Sequence, residues 1–115
     1  MTTNSIEDLT LALRRFTRER DWQQFHTPKN LAMGVMIEAA EIAEHFQWTD
    51  GSATMPDADR REIAMEIGDT LLYLLLLADA LGIDPIEAAA AKMKINAERY
   101  PVATSFGKSA KYDKL

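Results

Sequence analysis

Residues Asp57–Leu81 read DADRREIAMEIGDTLLYLLLLADAL. Apolar residues return at helical spacing through the first half, the second half is apolar nearly all round, and no proline interrupts it. That period and length specify one long helix from about Asp57 to Leu81, with Gly82 as its C-terminal stop. Leu71, Leu72, Leu74, Leu75, Leu76 and Leu77 cover more of the cylinder than one small core can use. The surplus face is therefore expected to meet another copy of the chain, in a dimer or tetramer rather than a monomer.

Upstream, Thr27 and Pro28 read as N-cap and N1 of a helix expected to end near Trp48. Before it, Ser5 caps a helix running to about Arg20, with Glu7 and Asp8 in its first turn and Leu9, Leu13 and Phe16 on its inner face. Asp21 to Thr27, carrying Trp22, Phe25 and His26, lacks helical periodicity. Thr49 to Pro56, with Asp50, Gly51 and Ser52, reads as a surface loop. Asp84-Pro85-Ile86-Glu87 supplies N-cap, N1 and N3 signals for a fourth helix ending near Tyr100, where Pro101 stops it. Four helices, no strand signal and no internal repeat specify an all-α fold, a four-helix bundle. Residues 1–100 are expected to form one domain. The stretch from 101 to 115, with Lys108, Lys111 and Lys114, is expected to be a flexible tail.

Two pairs of carboxylates break the apolar faces of the middle helices. Glu38 and Glu41, and Glu66 and Asp69, are each three residues apart, so each pair projects from one side of its helix. Leu31, Val35 and Ile42 fall close to Glu38 on the wheel, and Ile37 lies beside Glu41. Ile63 and Leu77 flank Glu66, and Met65 and Leu76 flank Asp69. Solvated acids usually lie opposite an apolar stripe, whereas these interrupt it. Two ionised carboxylates about 6 Å apart repel by roughly 3 kcal/mol at an effective dielectric of about 20. Protonation or a bound cation must offset that. An all-oxygen set that leaves room for water and phosphates suits Mg2+, with Mn2+ as a substitute. The plainer reading is a set of helix-surface acids in a chain with 18 acidic residues. Di-iron bundles use Glu-x-x-His on two helices; here His45 follows Glu41 by four, and Asp69 has no such partner.

With 115 residues and 47% hydrophobic content, the chain is long enough for a single core. A net charge of −5 without a basic stretch argues against gripping a nucleic-acid polymer. There is no cysteine, so disulfides and thiolate metal sites are excluded. Met1 to Asp8 does not look like a signal peptide, and the apolar run from Leu71 to Ala80, interrupted by Tyr73 and Asp79, is too short to span a bilayer. A cytoplasmic protein with no membrane partner is expected.

Glu38-Ala39-Ala40-Glu41 followed by Glu66-Ile67-Gly68-Asp69 resembles the MazG-like, all-α nucleoside triphosphate pyrophosphohydrolases. Residues 20–26 (RDWQQFH), Pro28-Lys29-Asn30-Leu31, Phe46-Gln47-Trp48 and residues 92–101 (KMKINAERYP) look like the dCTP pyrophosphatase branch, and together these segments cover most of residues 5–101. The resemblance implies cleavage between the α and β phosphates of a nucleotide to give the monophosphate and pyrophosphate, with Mg2+. It implies that Glu38, Glu41, Glu66 and Asp69 hold the metal. It places Trp22, His26 and Trp48 around the nucleotide, and Lys92, Asn96 and Tyr100 near its phosphates or sugar. A homotetramer is likewise implied. The chain departs from the eukaryotic branch at Leu13, where a His is expected, at Glu98, where a basic residue is expected, and in a shorter loop between the acidic motifs.

The residues fit that chemistry, because metal-assisted attack by water on a phosphate needs carboxylates rather than a covalent nucleophile. Glu38 or Glu41 is the candidate to take the water's proton. Trp22 and Trp48 can stack on a base, although ordinary core packing is their competing role. His26 can equally be a surface or capping residue. Lys92, Asn96 and Tyr100 share one face of the last helix, which a solvated stripe would also explain. The expected function is hydrolysis of dCTP or a modified dCTP to clean the nucleotide pool. The alternatives are a pyrophosphohydrolase taking dATP or dUTP, and a non-catalytic helical oligomer that binds a nucleotide or protein.

Overall fold

The computed structural model describes residues 5–51 and 54–115. Ser52 of the expected loop and Met1–Asn4 lie outside them. The described residues are helical, with no strand among them: α1 (Ile6–Glu19), α2 (Pro28–Glu44), α3 (Asp57–Ala80), α4 (Pro85–Arg99), the single turn α5 (Val102–Ser105) and a 3-10 turn at Tyr112–Lys114. They divide into two compact units, Met1–Gly82 and Ile83–Leu115. Among the described residues no helix is long and apolar enough to cross a membrane.

Capping chemistry sets the helix starts. Ser5 Oγ accepts from the Asp8 N–H at 3.0 Å, Thr27 Oγ1 from Asn30 N–H at 3.2 Å, and Asp84 Oδ1 from the N–H groups of Ile86 and Glu87 at 2.9 and 3.2 Å. Each satisfies donors that the first helical turn leaves without partners. α3 stops at Ala80, and Gly82 takes the left-handed conformation beyond it at φ 66°.

α2 ends at Glu44, four residues before the Trp48 end read from the sequence. The N–H groups of His45 and Phe46 bond back to Ile42 and Ala43. These i→i−3 bonds tighten the last turn and release the chain without any glycine or proline signal. Trp48 is consequently on a turn, 89% exposed.

In the first unit α3 packs against both α1 and α2. Leu13, Leu31, Ile63 and Leu75 form the buried core, with Thr17 as the buried polar residue. Full burial of Leu31 and Leu75 stabilises the packing by about 1.5–3 kcal/mol each. A bidentate ion pair between Arg14 on α1 and Asp79 in the last turn of α3 ties the two helices together. Elsewhere large apolar side chains stay exposed, among them Met36 and Ile37 on α2 and Met65 and Ile67 on α3.

In the second unit, the segment after Pro101 folds back on the end of α4. The Tyr112 N–H donates to Tyr100 Oη at 3.2 Å, the two rings meet edge to face at 6.1 Å, and the Arg99 guanidinium lies 4.7 Å from the Tyr112 ring centre.

Candidate active site

The close packing of α2 on α3 turns their acidic faces toward one another. Glu38, Glu66 and Asp69 each offer a carboxylate oxygen, all within 4.8 Å of one another. Glu41 reaches the carboxyls of both Glu38 and Glu66. Burial first, then the Glu41 carboxyl and the Asp69 charge, push the Glu38 pKa above its ordinary range. Glu66 is raised first by contact with the Glu41 carboxyl, then by burial and the charges of Glu41, Asp69 and Glu38. Crowded carboxylates that must shed charge to coexist are a site built for a cation or a shared proton.

One atom tests the fit to a metal. Glu38 Oε2 is buried without a hydrogen-bond partner. A buried acceptor of that kind is costly unless something binds it. Hard oxygen donors from three or four carboxylates match the preference of Mg2+ and Mn2+. The residues present therefore fit a divalent ion.

Glu38 and Asp69 also line a cavity of about 270 Å³ whose other walls include Trp22, His26, Phe16, Leu72 and Tyr73. A local device brings Trp22 there. At the end of α1, Asp21 adopts φ 53°, the Trp22 N–H bonds Thr17 O at 3.0 Å and the Asp21 N–H bonds Arg18 O at 3.1 Å. This is a Schellman ending with Asp in the position that glycine usually takes. Its apolar contact is Trp22 on Phe16, ring centres 5.6 Å apart, and Trp22 in turn meets His26 edge to face at 6.3 Å. The Arg20 guanidinium covers the Phe16 ring at 3.6 Å. Asn30 Nδ2 ties the following loop by donating to Phe25 O at 2.9 Å.

A second cavity of about 250 Å³ lies beyond Thr17, His26 and Leu76, which it shares with the first. The Arg14–Asp79 pair lines it, and the guanidinium holds the Asp79 carboxyl below its usual range.

The first cavity thus gathers Glu38, Asp69, Trp22 and His26 from the sequence-derived set, with Glu41 and Glu66 beside the two acids. Trp48 does not line it. Lys92, Asn96 and Tyr100 lie on α4 and at its C-cap, in the second unit. From the sequence Leu13 and Phe16 are inner-face residues, Tyr73 is an interruption, Leu72 and Leu76 belong to the leucine-rich face expected to meet another copy, and Thr17 is not singled out. The available signal was spacing: Thr17 follows Leu13 by four residues, and Tyr73 follows Asp69 by four, so each shares a face with a residue already of interest.

Residues 34–115 match the MazG-like family. The chain belongs to the MazG-like family. Its MazG-like relatives include dCTP pyrophosphatase 1 of Mus musculus, 38% identical over 96% of this chain and 68% of that protein. The Homo sapiens dCTP pyrophosphatase 1 is 40% identical over the same shares. Among solved structures, a pyrophosphatase from Archaeoglobus fulgidus superposes with a TM-score of 0.73 at 40% identity, covering 88% of this chain and 96% of that one. The MazG-like assignment thus rests on sequence and on fold together.

Proposed function

We propose that this nucleotide pyrophosphohydrolase cleaves the α–β phosphate bond of dCTP or a modified dCTP, releasing the monophosphate and pyrophosphate, with Mg2+ or Mn2+ as cofactor. The observation that carries the reading is the single cavity on which both carboxylates, Glu38 and Asp69, and two ring side chains, Trp22 and His26, open. One end suits metal and phosphate, the other a base. The names of the relatives support the choice of dCTP.

Glu38, Glu41, Glu66 and Asp69 would hold the ion, which would supply neutralisation of phosphate charge and activation of water. Glu41 stands beside the tight trio of the other three, so its carboxylate oxygen is the first candidate to accept the proton of the attacking water, with Glu38 the second. Trp22 and His26 seat the base, and the apolar wall of Leu13, Phe16, Leu72 and Leu76 excludes water around it. On the strength of the resemblance alone, Trp48 in the first unit and Lys92, Asn96 and Tyr100 in the second are proposed as nucleotide-binding residues. The protein works as a homo-oligomer, a tetramer, in the cytoplasm, with its role in clearing the nucleotide pool. The exposure of Met36 and Ile37 on α2 and of Met65 and Ile67 on α3 supports the assembly, since a second copy would cover apolar side chains that one copy leaves in solvent.

The test is a panel of the common deoxynucleoside and ribonucleoside triphosphates with Mg2+, ranked by kcat/KM. dCTP leading is the expected result. dATP or dUTP leading would keep the carboxylate chemistry and discard the base assignment.

A further inference from the structure

Gly34 sits on α2 one turn before Glu38, and Tyr73 sits on α3 one turn after Asp69. The two meet in the α2–α3 seam directly beneath the carboxylates. A Cβ at position 34 would lie 2.5 Å from both Cδ1 and Cε1 of the Tyr73 ring and 3.0 Å from its Cγ. That approach is closer than van der Waals contact permits, so only bare backbone fits.

We propose that Gly34 is a positioning residue for the nucleotide pocket: its missing side chain lets the Tyr73 ring lie against α2, and this holds the ring back from the cavity that Glu38 and Asp69 share with Trp22. The inference rests on the proposed function, since the pocket in question is the nucleotide's. Two features decide what a side chain at position 34 would displace. Each helix is anchored close to the contact by a buried leucine, α2 by Leu31 and α3 by Leu75, at 1% and 2% exposure. The clash reaches Cγ, the root of the ring, so bending the ring's tip does not relieve it. The ring must rotate off α2, and Tyr73 already forms part of the cavity wall. A methyl group at 34 therefore drives an aromatic ring into the space intended for substrate. The carboxylates, one turn away, keep their positions.

The experiment is a double-mutant cycle of Gly34→Ala, Tyr73→Ala and the pair, measured with dCTP and Mg2+ for KM and kcat, and with thermal unfolding with and without Mg2+ for each protein. Gly34→Ala is expected to raise KM by about tenfold or more, with kcat and the Mg2+-induced thermal shift retained. In the Tyr73→Ala background, where neither the ring nor its Cγ remains to be displaced, the same substitution is expected to leave KM within about twofold. An equal KM increase in both backgrounds would overturn the proposal. Coupling in the unfolding midpoints without coupling in KM would also overturn it, by making Gly34 a packing residue only. A wild-type protein that hydrolyses no nucleoside triphosphate would overturn the proposed function and this role with it, whereas a failed cycle in an active enzyme overturns only the role of Gly34.

Discussion

Glu38→Gln separates a metal centre from a cluster of surface acids. Glu38 carries the buried Oε2 that has no partner, and its carboxyl lies among those of Glu41, Glu66 and Asp69. A ligand that binds only the folded state stabilises it by RT ln(1 + [L]/Kd), about 2.7 kcal/mol when the ion is at 100 times its Kd. For a chain of this size each kcal/mol moves the midpoint by roughly 4 °C. Saturating Mg2+ is therefore expected to raise the wild-type midpoint by about 10 °C. Glu38→Gln removes a charged donor, so most of that shift is expected to vanish. The metal-free protein shows the opposite sign. Because the Glu38 and Glu66 pKa values are raised, the folded chain binds protons more tightly than the unfolded one. That contribution favours folding below the ordinary glutamate value of 4.5 and is lost as pH rises through the raised values. Without metal, Glu38→Gln is expected to be at least as stable as wild type at pH 8, the advantage shrinking toward pH 5. Differential scanning fluorimetry with Mg2+ or EDTA across that range measures all of these. A variant that keeps the full Mg2+ shift, or a wild type that shows none, would refute a metal site at Glu38.

Three further outcomes follow from the packing and the pocket. Leu31→Ala, at a position 1% exposed, is expected to lose about 2–5 kcal/mol in a denaturant titration of the folded protein. Trp22→Ala is expected to raise KM for dCTP by about tenfold, the consequence of losing about 1–3 kcal/mol of base stacking, with kcat largely kept; an unchanged KM would remove Trp22 from the base site. Arg14 lowers the Asp79 pKa, so the pair's contribution is present above the ordinary aspartate value of 3.8 and is lost as pH falls through the lowered value. Asp79→Asn is accordingly expected to be less stable than wild type at neutral pH, with the two acid unfolding curves converging below pH 3.8.

Helix starts were the most legible part of the fold, because Ser5, Thr27-Pro28 and Asp84-Pro85 act within a few residues of where they stand. The end of α2 was not: nothing in the residues after Glu44 forbids another turn, and the release at His45 is a matter of how the chain leaves the packed seam. The acidic pairs were legible for the same local reason as the caps, since i, i+3 spacing fixes a shared face without reference to any other helix. Which oxygens come within reach of one another depends on the approach of α2 to α3, and so on Leu31, Ile63 and Leu75 rather than on the motif. The Trp22 side of the cavity was harder still. It depends on Asp21 accepting a left-handed conformation that its residue type only sometimes takes, and on a glycine, Gly34, whose meaning appears only when the Tyr73 ring is found against it. The exposure of Trp48, 89% on the turn after α2, was not legible either, since it follows from where that helix ends.

The most direct test of metal-dependent pyrophosphohydrolysis is the identity of the products. Purified protein is incubated with dCTP in Mg2+ or in EDTA, and the nucleotide and phosphate products are separated and quantified. Equal amounts of dCMP and pyrophosphate in Mg2+, and neither in EDTA, are the expected result. Release of dCDP with orthophosphate, or turnover that EDTA leaves unchanged, would contradict it.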